Sequence, residues 1–254
     1  MGALAEFPST IADRLFDEIR RAIVSGEIPA GSKISEPVLA GRYGISRGPL
    51  REAMRRLEAS RLVERRANQG ARVITLSGTQ LLEIYQVREA LEGMAARLAA
   101  THMPAAEIAD LRRLLEGHHA QVAADGGRAY FQGEGDLDFH YRIVQGSRNS
   151  RLVGLLCNDL YHLVRMYRFQ FGMSGTRAVP ALREHDLMVD VIADGDGDMA
   201  ECLMRGHIRA SRLNVERRLA EAGAQSVGQG LTSPIPADCA EALTPLHPIN
   251  EATT

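Results

Sequence analysis

The sequence predicts a mainly α-helical protein, with an N-terminal winged helix-turn-helix of three helices and a two-stranded wing, followed by an all-α bundle of about six helices. The chain has 254 residues, more than a single domain usually contains. Before residue 76, three segments with helical spacing of apolar residues precede two short strand-like segments. After residue 76, all periodic segments are helical. We therefore expect a winged domain over 8–76, a helical domain over 77–222 and a flexible tail over 223–254.

The first two helices of the winged domain are predicted by apolar spacing and turn residues. From Thr10, the first helix places four apolar residues on one stripe and ends near Ser25: Ile11, Leu15, Ile19 and Ile23. Pro29 and Gly31 then mark a turn. Ser35 is expected to cap a short second helix with inward-facing apolar residues: Val38, Leu39 and Tyr43.

The third helix and the wing follow a break at Gly44. Ser46 is expected to accept a backbone hydrogen bond as the N-cap of a helix from Arg47 to Ser60, with Pro49 tolerated in the first turn. Two short strands are predicted at 62–66 and 71–74, around a turn at 67–70. Three helices and a hairpin in this order make a winged helix.

The helical domain is divided by glycine, proline and acidic breaks. Its predicted helices run over 79–101, 104–124, 128–146, 149–171, 177–194 and 197–222. From Gly223 the chain is rich in Gly, Pro, Ser, Thr and Ala without periodicity, which predicts a flexible tail.

The third helix carries an outward stripe of three arginines at four-residue spacing: Arg47, Arg51 and Arg55. Between Arg42 and Arg72, nine arginines stand against three glutamates, a local charge of +6 in a chain of net charge −2. A guanidinium can donate two hydrogen bonds to O6 and N7 of guanine, and Gly48 would allow close approach. A solvated arginine face is the alternative, but the break before the helix and the basic wing favour DNA binding.

The segment from Ile45 to Val73 resembles the signature of GntR-type bacterial transcription regulators: ISRGPLREAMRRLEASRLVERRANQGARV. The resemblance implies a sequence-specific DNA-binding regulator, expected to be a repressor, in which Arg47 and Arg51 enter the major groove of an operator. It also implies that Gly70 of the wing lies near the minor groove. Some family members have an arginine at the position of Pro37, so the chain departs from the family at that contact.

Four residues of the helical domain are candidate metal ligands: Asp136, His140, His185 and His207. The first two are four residues apart in a predicted helix, so both would project from one side of it. The two later histidines lie beside apolar positions, and could meet them in the bundle to offer three nitrogens and one oxygen to Zn(II) or Ni(II). The alternatives are a surface or capping pair for the first two, and buried histidines with hydrogen-bonded partners for the others.

The order D-x-x-x-H, then E-H, then H, is similar to the FadR-like branch of these regulators, whose C-terminal FCD-type domain often binds a metal. The resemblance implies that the four candidates hold the metal. Open coordination positions would then take the carboxylate of a small organic acid effector. Arg88 and Arg165 are candidate cations for this acid, with an exposed salt bridge as the alternative for each. The other histidines are expected to be ordinary surface or helix residues: His102, His118, His119, His162 and His247.

The remaining composition bears on location, assembly and class. Three cysteines without C-x-x-C spacing argue against a disulfide framework or a thiolate zinc site and predict a reducing cytoplasm. No apolar run approaches the roughly 18–20 residues of a membrane span. A homodimer is expected, in which the third helices of the two chains would enter successive major grooves of a pseudo-palindromic operator. A metalloenzyme that uses the Asp/His centre is the main alternative, although the sequence offers no convincing general base for it.

Overall fold

The computed structural model of the protein describes residues 10–66, 70–130, 132–135, 138–171 and 177–228. Within these ranges the chain forms ten α-helices and three β-strands. The chain divides into two compact units, with the boundary between Thr75 and Leu76. The predicted class, a winged helix-turn-helix followed by an all-helical unit, is confirmed.

The N-terminal unit contains three helices and a small antiparallel sheet of strand order β1-β3-β2. Its elements are α1 (Ile11–Val24), β1 (Lys33–Ile34), α2 (Glu36–Tyr43), α3 (Arg47–Ala59), β2 (Val63–Arg66) and β3 (Gly70–Val73). The sheet has one strand more than the prediction. In β1, Lys33 pairs with Arg72, and its two residues are too short to show alternation. The predicted turn at 67–69 lies outside the described residues.

The core of this unit confirms the predicted faces of α1 and α3 except at Ile11, which is 37% exposed, and the expectation that Val38 of α2 faces inward is wrong because Val38 is 61% exposed. Leu15, Ile19 and Ile23 of α1 are buried with the apolar face of α3: Leu50, Met54 and Leu57. Fully burying one such side chain stabilises a fold by about 1.5–3 kcal/mol. The packing of α1 against α3 therefore fixes which face of α3 remains in solvent.

The helix starts in this unit differ from the prediction in their chemistry. Thr10 caps α1 in a capping box, accepting from the Asp13 amide while Asp13 accepts from the Thr10 amide. Ser46 is the N-cap residue of α3, as expected, and has extended backbone, but its side chain does not make the expected capping hydrogen bond. The same is true of Ser35 before α2. The extended backbone alone satisfies the N-cap position there.

The second unit is helical throughout, with two long helices, α4 and α10, packed along each other. Its elements are α4 (Gly78–His102), α5 (Ala105–Ala124), α6 (Phe139–Gly146), α7 (Ser150–Val153), a π-helical turn (Gly154–Asp159), α8 (Tyr161–Phe171), α9 (Ala178–Ala193) and α10 (Gly197–Gly228). At Gly93 the two long helices are so close that a Cβ atom would lie 2.7 Å from Cγ of Arg205. No helix in the described part of the chain is long and apolar enough to cross a membrane.

The sixth helix begins eleven residues later than the predicted range of 128–146. Asp138 is its N-cap and accepts hydrogen bonds from the amides of His140 and Tyr141. Upstream, Gly135 has a φ of +58°, which favours glycine and cannot continue a helix. That Asp136 and His140 share one helical face stays a prediction. Asp136 itself lies outside the described residues.

Two further helices differ from their predicted bounds. The predicted helix over 149–171 is divided into α7, the π-helical turn and α8, because the backbone between Gly154 and Asp159 takes a wider hydrogen-bonding pattern. The last helix continues to Gly228, six residues beyond the predicted end. The helix passes through Gly223, at a cost of about 1 kcal/mol relative to alanine, so it enters the stretch predicted to be tail.

Candidate functional site

The third helix of the winged unit exposes the predicted basic face. Its apolar residues are buried, whereas all four predicted contacts on the helix are exposed: Arg47, Gly48, Arg51 and Arg55. Arg55 forms an ion pair with Glu52. Arg47 and Arg51 have no hydrogen bond or ion pair to the part of the chain that the structure describes. Their guanidinium groups are available to a partner in solution, the state that base contacts in a major groove require.

Three neighbouring arginines bind partners within the chain instead. Arg56 donates to Asp13 at 2.5 Å and lies 4.3 Å from the Phe16 ring centroid. Arg65 donates to Glu36 at 2.8 Å, and Arg72 donates to a backbone carbonyl at 2.8 Å. Because these three arginines have partners within the chain, fewer of the cations between Arg42 and Arg72 remain available to bind DNA. A Cβ atom at Gly48 would meet nothing within 4 Å, so packing within the chain does not require this glycine.

The wing contributes Gly70 and a residue that the sequence did not reveal. Gly70 is exposed and has a φ of +79°, a conformation that favours glycine. A Cβ atom there would lie 3.8 Å from Cε of Lys33. Lys33 is exposed at the end of β1. Its position beside the wing depends on the pairing of β1 with β3, which sequence spacing did not predict.

Three histidines of the helical unit meet in its interior. His140 of α6, His185 of α9 and His207 of α10 are all buried, and one ring nitrogen from each lies within 4.8 Å of the others. Phe139 stacks on His185 with ring centroids 4.1 Å apart. The structure thus brings together three of the four predicted metal ligands, from three separate helices.

The buried carboxylate of Glu92 contacts Nδ1 of the His140 ring. Nδ1 of His140 lies 2.8 Å from one oxygen of Glu92, and the other oxygen accepts from Nε of Arg88 at 2.6 Å. Burial raises the pKa of Glu92, but Arg88 and His140 outweigh it and lower that pKa below its ordinary value. Because a carboxylate only accepts, Nδ1 of His140 carries the proton and Nε2 is left to bind elsewhere.

His207 is held in the same way by a second carboxylate. Its Nδ1 lies 2.7 Å from Glu184, which also accepts two hydrogen bonds from Arg177, at 2.5 and 2.6 Å. Burial is the largest cause that lowers the pKa of His207, to about 3, so the ring is neutral near pH 7. Its free nitrogen is therefore Nε2.

A tyrosine hydroxyl holds the third histidine. The hydroxyl of Tyr130 lies 2.9 Å from Nδ1 of His185 and 2.9 Å from Nδ1 of His118. Burial raises the pKa of Tyr130, so its hydroxyl keeps its proton. Burial is also the largest cause that lowers the pKa of His185 well below its ordinary value. His118 is a helix residue of α5, as expected, and it is buried there.

The geometry of the two nearest rings fits a metal ion. Nε2 of His185 and Nε2 of His207 are 3.3 Å apart. If each Nδ1 carries the proton, two bare lone pairs face each other there. Nitrogens that are each about 2.0–2.1 Å from a tetrahedral zinc are separated by roughly this distance. The donor set, three imidazoles oriented by outer partners, suits a borderline divalent cation.

The two predicted ligand arginines line one cavity beside His140. The cavity has about 30 Å³ of space for the centre of a water-sized molecule, and its lining includes Arg88, Arg165 and Arg168. Arg88 is buried in its ion pair with Glu92, so it is not the exposed salt bridge that was the alternative. Arg168 donates to Asp138 at 3.1 Å, and sequence spacing gave no signal for this third arginine.

The sequence profile of bacterial regulatory proteins of the gntR family matches residues 11–73, and the profile of the FCD domain matches residues 83–210. The chain belongs to the GntR family. One relative of this GntR chain is named as the probable D-xylose utilization operon transcriptional repressor of Paenarthrobacter nicotinovorans, with 31% identity over 80% of this chain and 87% of that protein. Another is the gluconate operon transcriptional repressor of Bacillus licheniformis, with 32% identity over 73% of this chain and 77% of that protein.

A solved structure shares the fold of this GntR chain. It is a GntR transcriptional regulator from Rhodococcus sp. RHA1, with a TM-score of 0.64 and 21% identity, covering 82% of this chain and 98% of that one. The resemblance to GntR-type regulators is thus confirmed, with an FCD domain as expected for the FadR-like branch. The protein is a DNA-binding transcription regulator, and the metalloenzyme alternative is not favoured.

Proposed function

We propose that this GntR regulator represses transcription as a homodimer bound to a pseudo-palindromic operator, and that a small organic acid releases it. The acid binds beside a divalent metal, Zn(II) or Ni(II), in the FCD domain. His140, His185 and His207 hold the metal, and Asp136 is the proposed fourth ligand. The names of the two relatives, both repressors, favour repression over activation.

The exposed face of α3 supports the DNA-binding part of this proposal. Arg47 and Arg51 would read bases in the major groove, with Gly48 and Arg55 beside them. Gly70 would lie near the minor groove, and Lys33 would contact a phosphate. Each half-site would receive one α3 helix, with half-sites about 34–36 Å apart along the duplex.

The facing Nε2 atoms of His185 and His207 are the observation that carries the metal site. With Glu184 accepting from Nδ1 of His207 and the Tyr130 hydroxyl donating to His118 while it accepts from Nδ1 of His185, neither Nε2 would have a proton to share, and a cation between them would remove the conflict between the two lone pairs. A bound divalent ion would supply a Lewis-acidic centre with open positions for a carboxylate. Arg88 and Arg165 in the adjacent cavity would hold the rest of the acid.

Release of the operator requires that the acid binds the two states of the regulator with different affinity. The metal ligands come from α6, α9 and α10, and the cavity is lined by α4, α6, α8 and the π-helical turn. An acid that contacts the metal and Arg165 together would draw α8 and α6 toward one arrangement. That arrangement would be the one in which the two α3 helices no longer match the operator.

The DNA-binding part is tested with the double variant Arg47→Ala, Arg51→Ala in a gel shift with operator DNA. We expect loss of the specific shift at moderate salt, because each good bidentate base contact contributes about 1–3 kcal/mol. Arg113→Ala is the control, since Arg113 is an exposed arginine of α5 in the other unit. Specific binding that survives in the double variant would overturn the assignment of α3.

The metal part is tested by elemental analysis of the purified protein. We expect one metal ion per chain in the wild-type protein and in His119→Ala, whose ring is exposed and paired with Asp186. His140→Ala and His185→Ala should lose the metal. Full occupancy in both of these variants would refute the ligand assignment.

A further inference from the structure

The two long helices of the helical unit, α4 and α10, expose large apolar side chains to solvent. On α4, Val87 is 48% exposed and Met94 is 39% exposed, and on α10, Leu213 is 53% exposed. Ala90 and Gly206 are also exposed. Val87, Ala90 and Met94 follow each other at spacings of three and four residues, and Gly206 and Leu213 are seven apart, so each set lies on one stripe of its helix. We refer to these five residues as the outer face.

The stripes on the two helices adjoin each other. Arg209 of α10 donates to Glu89 of α4 at 2.6 Å, and Arg205 packs against Gly93. Later residues of α4 therefore lie beside earlier residues of α10, so the two helices run side by side in opposite directions. The residues that both helices bury lie on the side away from these stripes. The outer face is thus one continuous surface, two helices wide.

A glycine lies on the outer face, in the interior of α10. Glycine destabilises a helix interior relative to alanine, so a reason for it is usually found in close packing. At Gly206, however, a Cβ atom would meet no atom of the described chain within 4 Å. Packing within the chain therefore does not require this glycine, whereas a helix of a second molecule could approach closely there.

The outer face is large enough for a stable interface between proteins. The α4 helix has 25 residues, which at 1.5 Å per residue is a length of about 37 Å. Two adjacent helices, each about 10 Å wide, present roughly 700 Å² over that length. A standard interface buries about 800 Å² on each partner, so a partner that covers this face would bury an area close to the standard.

We propose that a second copy of this chain docks on the outer face, so that α4 and α10 of both chains form a four-helix bundle about a two-fold axis parallel to the helices. Val87, Met94 and Leu213 lose their exposure to water in this bundle, and Gly206 admits the partner's helix. The inference rests on the proposed function, because it assigns a surface to the homodimer proposed there.

Charge and connectivity agree with this axis. Glu83 lies six residues before Glu89, and Arg217 lies eight residues after Arg209, so these two exposed and oppositely charged residues are at the same end of the face. An axis parallel to the helices keeps corresponding ends together, so Glu83 meets Arg217 of the partner subunit. Because α4 directly follows the winged unit in the chain, both chains connect to their winged units at this same end, as binding to one operator requires.

The test is sedimentation equilibrium of the full-length protein and of two variants of the outer face. We expect the wild-type protein to sediment with twice the mass of one chain. Gly206→Leu fills the space that the partner's helix needs, and Leu213→Arg places a charge in the apolar contact. Each substitution occurs twice across a two-fold interface, so the Kd of the dimer should rise at least about tenfold in both variants.

Each variant has a matched control on another helix. Gly117 of α5 is exposed and equally open to an added Cβ atom, so Gly117→Leu makes the same change away from the outer face. Leu187 of α9 is 50% exposed, so Leu187→Arg is the control for Leu213→Arg. Both controls should keep the wild-type Kd. Leucine is a better helix former than glycine, so the circular dichroism of Gly206→Leu should remain helical. Leu213→Arg carries the test if Gly206→Leu does not fold.

The outcomes separate this inference from the proposed function. A dimeric wild-type protein whose folded outer-face variants dimerise equally well would overturn the outer face as the interface and leave the homodimer intact. Controls that weaken the dimer as much as the outer-face variants would overturn it in the same way. A wild-type protein that is monomeric, both free and on operator DNA, would overturn the homodimer of the proposed function together with this inference.

Discussion

At the scale of single residues, the histidine cluster owes its chemistry to partners that sequence reasoning did not find. The order of the histidines predicted three ligands that the fold brings together. Glu92, Tyr130 and Glu184 were not predicted, because they lie 48, 55 and 23 residues from the rings they contact. Such contacts depend on tertiary packing, and no local spacing encodes them.

Tyr130→Phe tests this outer layer. The variant keeps the ring but removes the acceptor of His185 Nδ1–H, so we expect zinc affinity to fall about 10- to 100-fold. Competition with a chromophoric chelator measures the Kd. Tyr43→Phe, in the winged unit, is the control and should leave the Kd unchanged. An unchanged Kd in Tyr130→Phe would show that the hydroxyl does not position His185.

The capping box at Thr10 makes the winged unit sensitive to acid. Hydrogen bonds from the side chain and backbone of Thr10, followed by that from Arg56, lower the pKa of Asp13 from 3.8 to about 2. The folded state therefore favours the ionised form. The ionised Asp13 carboxylate therefore contributes fully to stability above the unfolded pKa of 3.8, and this contribution is lost as the pH falls from 3.8 toward 2. Asp13→Asn should flatten the pH dependence of urea unfolding in this interval, and an unaltered dependence would contradict it.

At the scale of elements, most helices were predicted with ends within one or two residues of the observed ones, whereas the start of α6, the division at the π-helical turn and the end of α10 were missed. The apolar stripes of α1 and α3 identified both helices, because a stripe records the face that the core buries. The start of α6 was missed because the apolar residues upstream also suit an irregular segment that buries Tyr130. The π-helical turn was missed because a single widened turn changes the periodicity too little to detect.

The two kinds of helix start in the winged unit make a paired prediction. Thr10→Ala removes a side-chain cap and should destabilise α1 by about 1 kcal/mol. Ser46→Ala removes no such hydrogen bond and should change the stability of α3 by less than about 0.5 kcal/mol. Amide hydrogen exchange read by mass spectrometry reports both helices separately. Equal loss of protection in α1 and α3 would contradict the assignment of caps.

At the scale of the whole molecule, the chain combines a winged DNA-binding unit and an all-helical unit as two separate compact parts. The change of apolar periodicity at residue 76 predicts this division, because periodicity is a property of each unit as a whole. The charge is also divided unequally between the two units, because the winged unit is basic although the net charge of the whole chain is −2. A single total could not predict a DNA partner, whereas the local distribution did.

Metal removal should act on the helical unit. Zinc at 100 times its Kd stabilises the form that binds it by about 2.7 kcal/mol, so chelation should lower the unfolding temperature of this unit. Differential scanning calorimetry with and without a chelator measures the shift. His140→Ala is the control and should show no shift on chelation. A wild-type unfolding temperature that is independent of zinc would contradict a metal site in the folded chain.

The origin of the three histidines from α6, α9 and α10 has a consequence for the signal that the regulator reports. A carboxylate that binds through a shared metal cannot be sensed when the metal is absent, so the acid and the ion would act as joint inputs. The protein would then behave as a coincidence detector, in which operator release requires both nutrient acid and sufficient free metal. In a metal-starved cell, the regulated genes would stay silent even when the acid is abundant.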